Sequence, residues 1–271
     1  MKKINYRNFL NKIKKNGYCI IPNIFSKKSL NLMRNSLLLS LNYIKPDKEK
    51  NLQKKYLQIA KYNKILAGHW YDLIKKDINL SNEIHKPEIV NLVKKYFKTE
   101  VVFSGRQSLH LIDDTNDKLL QPHQETKQLT RDFFLLWVPL FDTNHENGGV
   151  SIFSGSHKHG WFDYTKKLYT LKTGQVCTKN FKYELTQGNQ FIKIVDPLIK
   201  KSFKKIYLEI PAGSLALFHS RLIHAGYPTR RKNSVKIIVS DRLCPLRKIP
   251  YLENEKALMR MPGPEAAGYK K

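Results

Sequence analysis

The segment "LLQPHQETKQ", residues 119–128, places His123 and Glu125 two positions apart. In an extended backbone, successive side chains alternate between faces, so these two share one. Pro122 disfavours helix for Gln121, which favours the extended geometry. A histidine and a carboxylate on one face are either half of a metal site or two polar residues on a wet loop. Two histidines and one carboxylate bind divalent iron on one face and leave the other positions open for a cosubstrate and oxygen. The remaining ligand must come from elsewhere. "SLALFHSRLIHAG" offers His219 and His224. They lie an odd number of positions apart, so on one continuous strand they face opposite sides. His224 shares its parity with Ala216, Phe218 and Leu222, and His219 with Leu215, Leu217 and Arg221. Both faces are partly apolar, so alternation leaves both histidines open. Ala225 and Gly226 leave room for a ligand beside His224 and favour it.

The chain has 9 histidines, so the others must be weighed. His157 and His159 form a rival H-x-H pair in "SGSHKHGW". That pair resembles a cupin metal motif, but it sits in Gly/Ser-rich turn sequence. It also lacks a nearby glutamate, having only Asp163. His69, His85, His110 and His145 have no partner at ligand spacing and read as structural.

Two textures position these residues. Before residue 100 the pattern is helical. "SKKSLNLMRNSLLLSLNYI" spaces Leu30, Met33, Leu37, Leu38 and Leu41 along one helix face, with Ser26 as N-cap. "KPEIVNLVKKYF" does the same with Ile89, Leu92, Val93 and Phe97. A short β-type run, "GYCIIPNIF", precedes the first of these helices. After residue 100 come "VVFSGRQSLHLI", "RDFFLLWVPLF", "GGVSIFS", "KKIYLEIPAGSLALFHSRLIHAG" and "SVKIIVSDRL". Many short β-rich runs with turns between them indicate a jelly-roll sandwich or barrel, here with flanking helices.

Composition narrows the class. With 271 residues, 41% hydrophobic and 11% aromatic, the chain can bury a core and reads as globular. No apolar run is long enough to span a membrane. The start is basic but has no apolar h-region, so a cytoplasmic location is expected. Cys19, Cys177 and Cys244 are odd in number, far apart and outside any CxxC, which argues against a disulfide framework or a zinc-cysteine site. The net charge is +27, yet the lysines are spread along the chain. No basic block interleaves with aromatics as a nucleic-acid groove requires, so the charge reads first as the habit of a lysine- and asparagine-rich proteome, with attraction of an anionic small molecule ahead of nucleic acid.

These residues resemble the phytanoyl-CoA dioxygenase family of iron(II)- and 2-oxoglutarate-dependent oxygenases, over roughly residues 10 to 245. "NGYCIIPNIFSKKSLNLMR" is similar to the family's opening strand, turn and helix, and "PHQETK" to its H-x-D motif. The most specific piece is "LLWVPLFDTNHENGGVSIFSGSHKHG", which resembles the W-x-P/A-L strand, the Asn-Gly step and the Gly-Ser-His-Lys turn. "PAGSLALFHSRLIHAGYP" is similar to the strand bearing the distal histidine.

The resemblance implies a double-stranded β-helix core of the jelly-roll or cupin-like kind. It implies one oxygenase domain over 1–271: a mostly helical part over 1–100, the core over 101–245 and a tail over 246–271. It implies His123, Glu125 and His224 as iron ligands, with iron(II), 2-oxoglutarate and O2 as cofactors and cosubstrates. Two positions depart from the family. Glu125 stands where aspartate is more frequent. Where the family places an arginine for the distal carboxylate of 2-oxoglutarate, the best match is Lys236, after a one-residue insertion; Arg230 and Arg231 are the fallbacks. A lysine holds a carboxylate as a point charge, without the bidentate fork. Gln107 resembles a glutamine that some members set against 2-oxoglutarate. Trp137 and Arg131 are candidates for the pocket wall. The implied reaction is oxidative decarboxylation of 2-oxoglutarate coupled to hydroxylation of an unactivated carbon. The substrate would be a small metabolite, with anionic, nucleotide-linked or sugar-linked molecules favoured by the charge. The competing readings are a jelly-roll binding module without catalysis and a cupin-like sugar isomerase built on His157 and His159.

Overall fold

The computed structural model describes residues 5–75, 77–103, 107–113, 122, 124–125, 132–159, 182–186, 189–193 and 203–246. The tail expected over 246–271 lies outside them from residue 247 onward. Helix α1 (Tyr6–Asn16) leads into strand β1 (Tyr18–Ile21). Helices α2 (Lys27–Ile44), α3 (Leu52–Tyr62), α4 (Lys64–Ile74), α5 (Ile78–Ile84) and α6 (Pro87–Phe97) follow. Their starts are written in the sequence. Asn5, Ser26, Asn51, Asn63 and Asp77 each accept a hydrogen bond from a backbone N–H of the first turn. Helix α6 has no such cap and begins on Pro87, where a missing N–H does no harm. Among the described residues, no helix is long and apolar enough to cross a membrane.

The strands are β2 (Val101–Phe103), β3 (Ser108–Asp113), β4 (Phe134–Pro139), β5 (Asn147–Phe153), β6 (Lys182–Thr186), β7 (Asn189–Lys193), β8 (Lys205–Tyr207), β9 (Leu215–His219), β10 (His224–Thr229) and β11 (Val235–Pro245). A six-stranded sheet runs β1-β9-β4-β11-β2, with β3 also on β11. A three-stranded sheet runs β10-β5-β8, and β6 and β7 form a hairpin. Every pairing is antiparallel.

Alternation along the large sheet builds two cores. One face buries Leu136, Val138, Leu217, Ile237 and Val239 against Met33, Leu37, Ile89, Leu92 and other helical residues. The other face buries Ile112, Leu135, Trp137, Ala216, Phe218 and Ile238 with Val150 and Ile152 of the small sheet and with Leu208, just after β8. Strand β11 carries both cores at once, which explains why "VKIIVSDRL" is buried throughout rather than alternately.

The end of α1 is a tight point. Gly17 adopts φ +84°, and a Cβ there would lie 2.6 Å from His157 Nδ1 and 2.8 Å from Leu222 Cδ1. Its carbonyl also accepts from His219 N. Gly17→Ala is therefore expected to destabilise the chain by about 1–3 kcal/mol, read from the denaturant midpoint.

Candidate active site

Three contacts fix Gln124 and Glu125 in place. Glu125 N donates to Ser220 O at 3.0 Å, and Gln124 Nε2 donates to Arg221 O at 2.7 Å. Both bonds tie this dipeptide to the turn between β9 and β10. The third is from the large sheet: Arg242 Nη2 donates to Glu125 Oε2 at 3.1 Å. The turn itself is held by Ser220 Oγ, which accepts from Phe133 N, and by Ser156 Oγ, which accepts from Ile223 N.

His224 opens β10 and presents Nε2 to Glu125 Oε1 at 3.7 Å. That is too long for a hydrogen bond. It lies within the span that two ligands at about 2.1 Å each can share on one ion. His224 Nδ1 stands 3.0 Å from the Leu222 carbonyl. A carbonyl can only accept, so Nδ1 donates there and Nε2 is the ring nitrogen turned towards Glu125. The ring stacks on Phe218 with centroids 5.9 Å apart and planes 14° apart. Both His224 and Glu125 are buried.

The two faces that alternation left open are now distinct. Ala216, Phe218 and Leu222 lie in the core between the sheets, and His224 goes with them. Leu215 and Leu217 lie in the helical core, and His219 packs edge-on against Phe134 and Tyr96 there. The structure thus brings His224 to Glu125, and it turns His219 to the other side. His123 lies outside the described residues, and among the described ones no group of three or more metal-capable side chains gathers.

The anchor candidates separate as well. Lys236 lies on the inner face of β11 with Ile238, Ser240 and Arg242, and is buried. Burial pushes its ammonium below the usual lysine range, Arg231 adds to the fall, and Asp142 opposes it. Arg230 and Arg231 are exposed and face outward, one against His145 at 3.1 Å and the other against Glu146 at 3.5 Å. Gln107 has partners of its own in the helical layer. Its Nε2 donates to Ile74 O at 2.8 Å and its Oε1 accepts from Ser81 Oγ at 3.0 Å. It shares the parity of Leu109 and Leu111, so the amide braces the helical layer and does not face the Glu125–His224 pair.

Trp137 lies in the inner core, 6.4 Å from Phe218, and Arg131 lies outside the described residues. His157 turns its Nε2 to the Lys14 carbonyl at 3.3 Å, as a structural histidine does; the side chain of His159 lies outside the description. His85 meets Asp241 at 3.0 Å and His110 meets Ser240 at 2.9 Å. A cleft of about 560 Å³ opens on the helical side of the β9–β10 turn, lined by Tyr96, Asp132, Lys158, His219 and Arg221 among others. Asp132 and Arg221 form a bidentate ion pair in its wall.

Arg242 is the site residue that motif reading passed over. Its signal was present: in "VKIIVSDRL" it shares parity with Lys236 and Ile238, so an inward Lys236 entails an inward Arg242.

The donor set fits iron. An imidazole nitrogen and a carboxylate oxygen, buried together and braced by Leu222 and Arg242, are borderline and hard ligands of the kind divalent iron takes. Comparison with solved structures points to the same fold. The epimerase SnoN in complex with Fe3+, alpha ketoglutarate and nogalamycin RO matches at a TM-score of 0.62 and 11% identity, covering 89% of this chain and 83% of that one. EctD from S. alaskensis with 2-oxoglutarate and 5-hydroxyectoine matches at 0.61 and 11%, covering 90% and 77%. The carbocyclase SnoK from nogalamycin biosynthesis matches at 0.57 and 13%, covering 88% and 83%. At such identities the likeness establishes the double-stranded β-helix fold. The family model for phytanoyl-CoA dioxygenase matches residues 13–233, and the chain belongs to that family of oxygenases, whose cofactors are iron(II) and 2-oxoglutarate with O2.

Proposed function

We propose that the chain hydroxylates a carbon of a small metabolite. Iron would be held by His123, Glu125 and His224, and 2-oxoglutarate by Lys236, within one oxygenase domain over 1–271. The observation that carries this reading is the buried approach of His224 Nε2 to Glu125 Oε1. When bound, iron and 2-oxoglutarate together activate O2 to take a hydrogen from the substrate. The chain's own residues do the rest. The Leu222 carbonyl fixes the His224 tautomer, and Arg242 fixes the Glu125 carboxylate. Trp137, Phe218 and Ile238 form a buried apolar wall on the inner face of the sheet, which keeps water from the reacting centre. Lys236 supplies the buried cation that a distal carboxylate needs. The net charge of +27 raises the local concentration of anionic substrates, which favours an anionic or nucleotide-linked molecule.

The test is anaerobic titration of the purified chain with ferrous iron and then 2-oxoglutarate, followed by the weak visible charge-transfer band of the chelate. The band should appear in the wild type and vanish in His123→Ala. No band at millimolar cosubstrate would leave a jelly-roll binding module in place of the enzyme. A band that survives His123→Ala would remove His123 from the ligand set.

A further inference from the structure

Glu125 carries one methylene more than aspartate, and so one more torsion to order. A longer carboxylate left to itself could turn either oxygen, or both, towards a metal. In this chain that freedom is taken up by Arg242. Its Nη2 donates to Oε2 at 3.1 Å, and the two side chains are 8% and 7% exposed. The opposite oxygen, Oε1, is the one that faces His224, at 3.7 Å. Arg242 is itself well placed to act as a fixed support. It belongs to β11, the strand that pairs with β2, β3 and β4, and its own partner in register is Leu135. The Glu125 main chain is also held, by its N–H donating to Ser220 O. One oxygen is therefore occupied by a strand that cannot move easily, and the other is left towards the histidine.

We infer that Arg242 is a positioning residue that makes Glu125 a one-oxygen ligand, and that Glu125 and Arg242 act as a unit in place of a shorter carboxylate. This rests on the iron reading given above. Its consequence is coordinative. A carboxylate that chelates through both oxygens takes a position that the cosubstrate or oxygen needs. A carboxylate whose second oxygen is engaged by a guanidinium contributes a single donor and leaves that position open. The alternative role for Arg242 is that of a structural staple between β11 and the 124–125 segment. A staple would change folding stability alone and leave the metal site of the folded protein as it was.

The experiment compares wild type, Arg242→Gln and Arg242→Lys as full-length chains. Thermal melting is measured without metal. Anaerobic calorimetry then gives the affinity for ferrous iron alone, and the chelate band is recorded after 2-oxoglutarate is added. Lysine keeps the charge and one donor, so that variant guards against simple loss of fold. The expected result is cooperative melting in both variants, with iron affinity down by about 10–100-fold in Arg242→Gln. Arg242→Lys should recover part of that loss, and the band should shift in energy or weaken. Folded variants that bind iron as the wild type does, with an unchanged band, would overturn the inference and leave the iron site standing. Failure of both variants to fold would make Arg242 a staple and would overturn it too. Absence of iron binding in the wild type would instead remove the reading on which it rests.

Discussion

If iron is held as proposed, His224→Ala should abolish 2-oxoglutarate turnover, by at least about a thousandfold, because the metal would supply several kcal/mol of the rate and would lose a ligand. The fold should survive. His224 is the first residue of β10, and its backbone pairing with Ile152 does not depend on its side chain. The losses include the stack on Phe218 of β9 and the bond to the Leu222 carbonyl, and neither is a backbone bond of the sheet. His219→Ala is the control. It removes a ring that packs on Phe134 and Tyr96 in the helical core, so it should lower stability while turnover per folded molecule persists. Succinate release measured beside thermal melting separates the two. Equal turnover loss in both variants would contradict the assignment of opposite faces.

The second large effect concerns Lys236, where binding and stability should move in opposite directions. Burial lowers the pKa of its ammonium in the folded state, with Arg231 adding to the fall. The charged form is thus disfavoured by folding. Below the folded pKa this penalty is present in full, and it disappears as the pH rises through that pKa towards the ordinary lysine value. At neutral pH, Lys236→Met should therefore raise the melting temperature of the metal-free chain. The gain over wild type should shrink as the pH climbs into the alkaline range. In the proposed role the same change would remove the cation offered to the distal carboxylate, which should weaken 2-oxoglutarate binding by about 10–100-fold. Melting curves from neutral to alkaline pH, with and without cosubstrate, check both halves. A destabilised Lys236→Met chain that still binds 2-oxoglutarate normally would place the anchor elsewhere.

Much of this was legible in the residues. The periods of the α2 and α6 segments gave their buried faces, and Ser26 marked the start of α2. The strands after residue 100 were visible as runs, because turn residues separate them. What alternation could not supply was which face meets which partner. Leu215 and Ala216 are both fully buried, since the large sheet is covered on both sides, so polarity carries no contrast. Only the packing of helices on one face and the small sheet on the other separates His219 from His224. Gln107 shows a related limit of the letters. A buried glutamine satisfied by Ser81 and Ile74 has the same letter as one set against a cosubstrate. Arg242 was missed because its partner, Glu125, lies far away in the chain and the two meet only in space.

Strand β11 has a consequence for how such a chain can change over time. Its odd positions from Val235 to Val239, together with Leu243, fill the helical core, while Lys236, Ile238 and Arg242 face the other way. Loss or gain of one residue inside the strand would swap the two sets. The lysine and arginine would be driven into the apolar helical layer, and fold and chemistry would fail together. The same length change in the turn over 230–234, whose residues are mostly exposed, would leave both faces in phase. Length variation in descendants of this chain should therefore collect in that turn and spare the strand. Trial insertions at Lys232 and at Val239 would display the contrast directly.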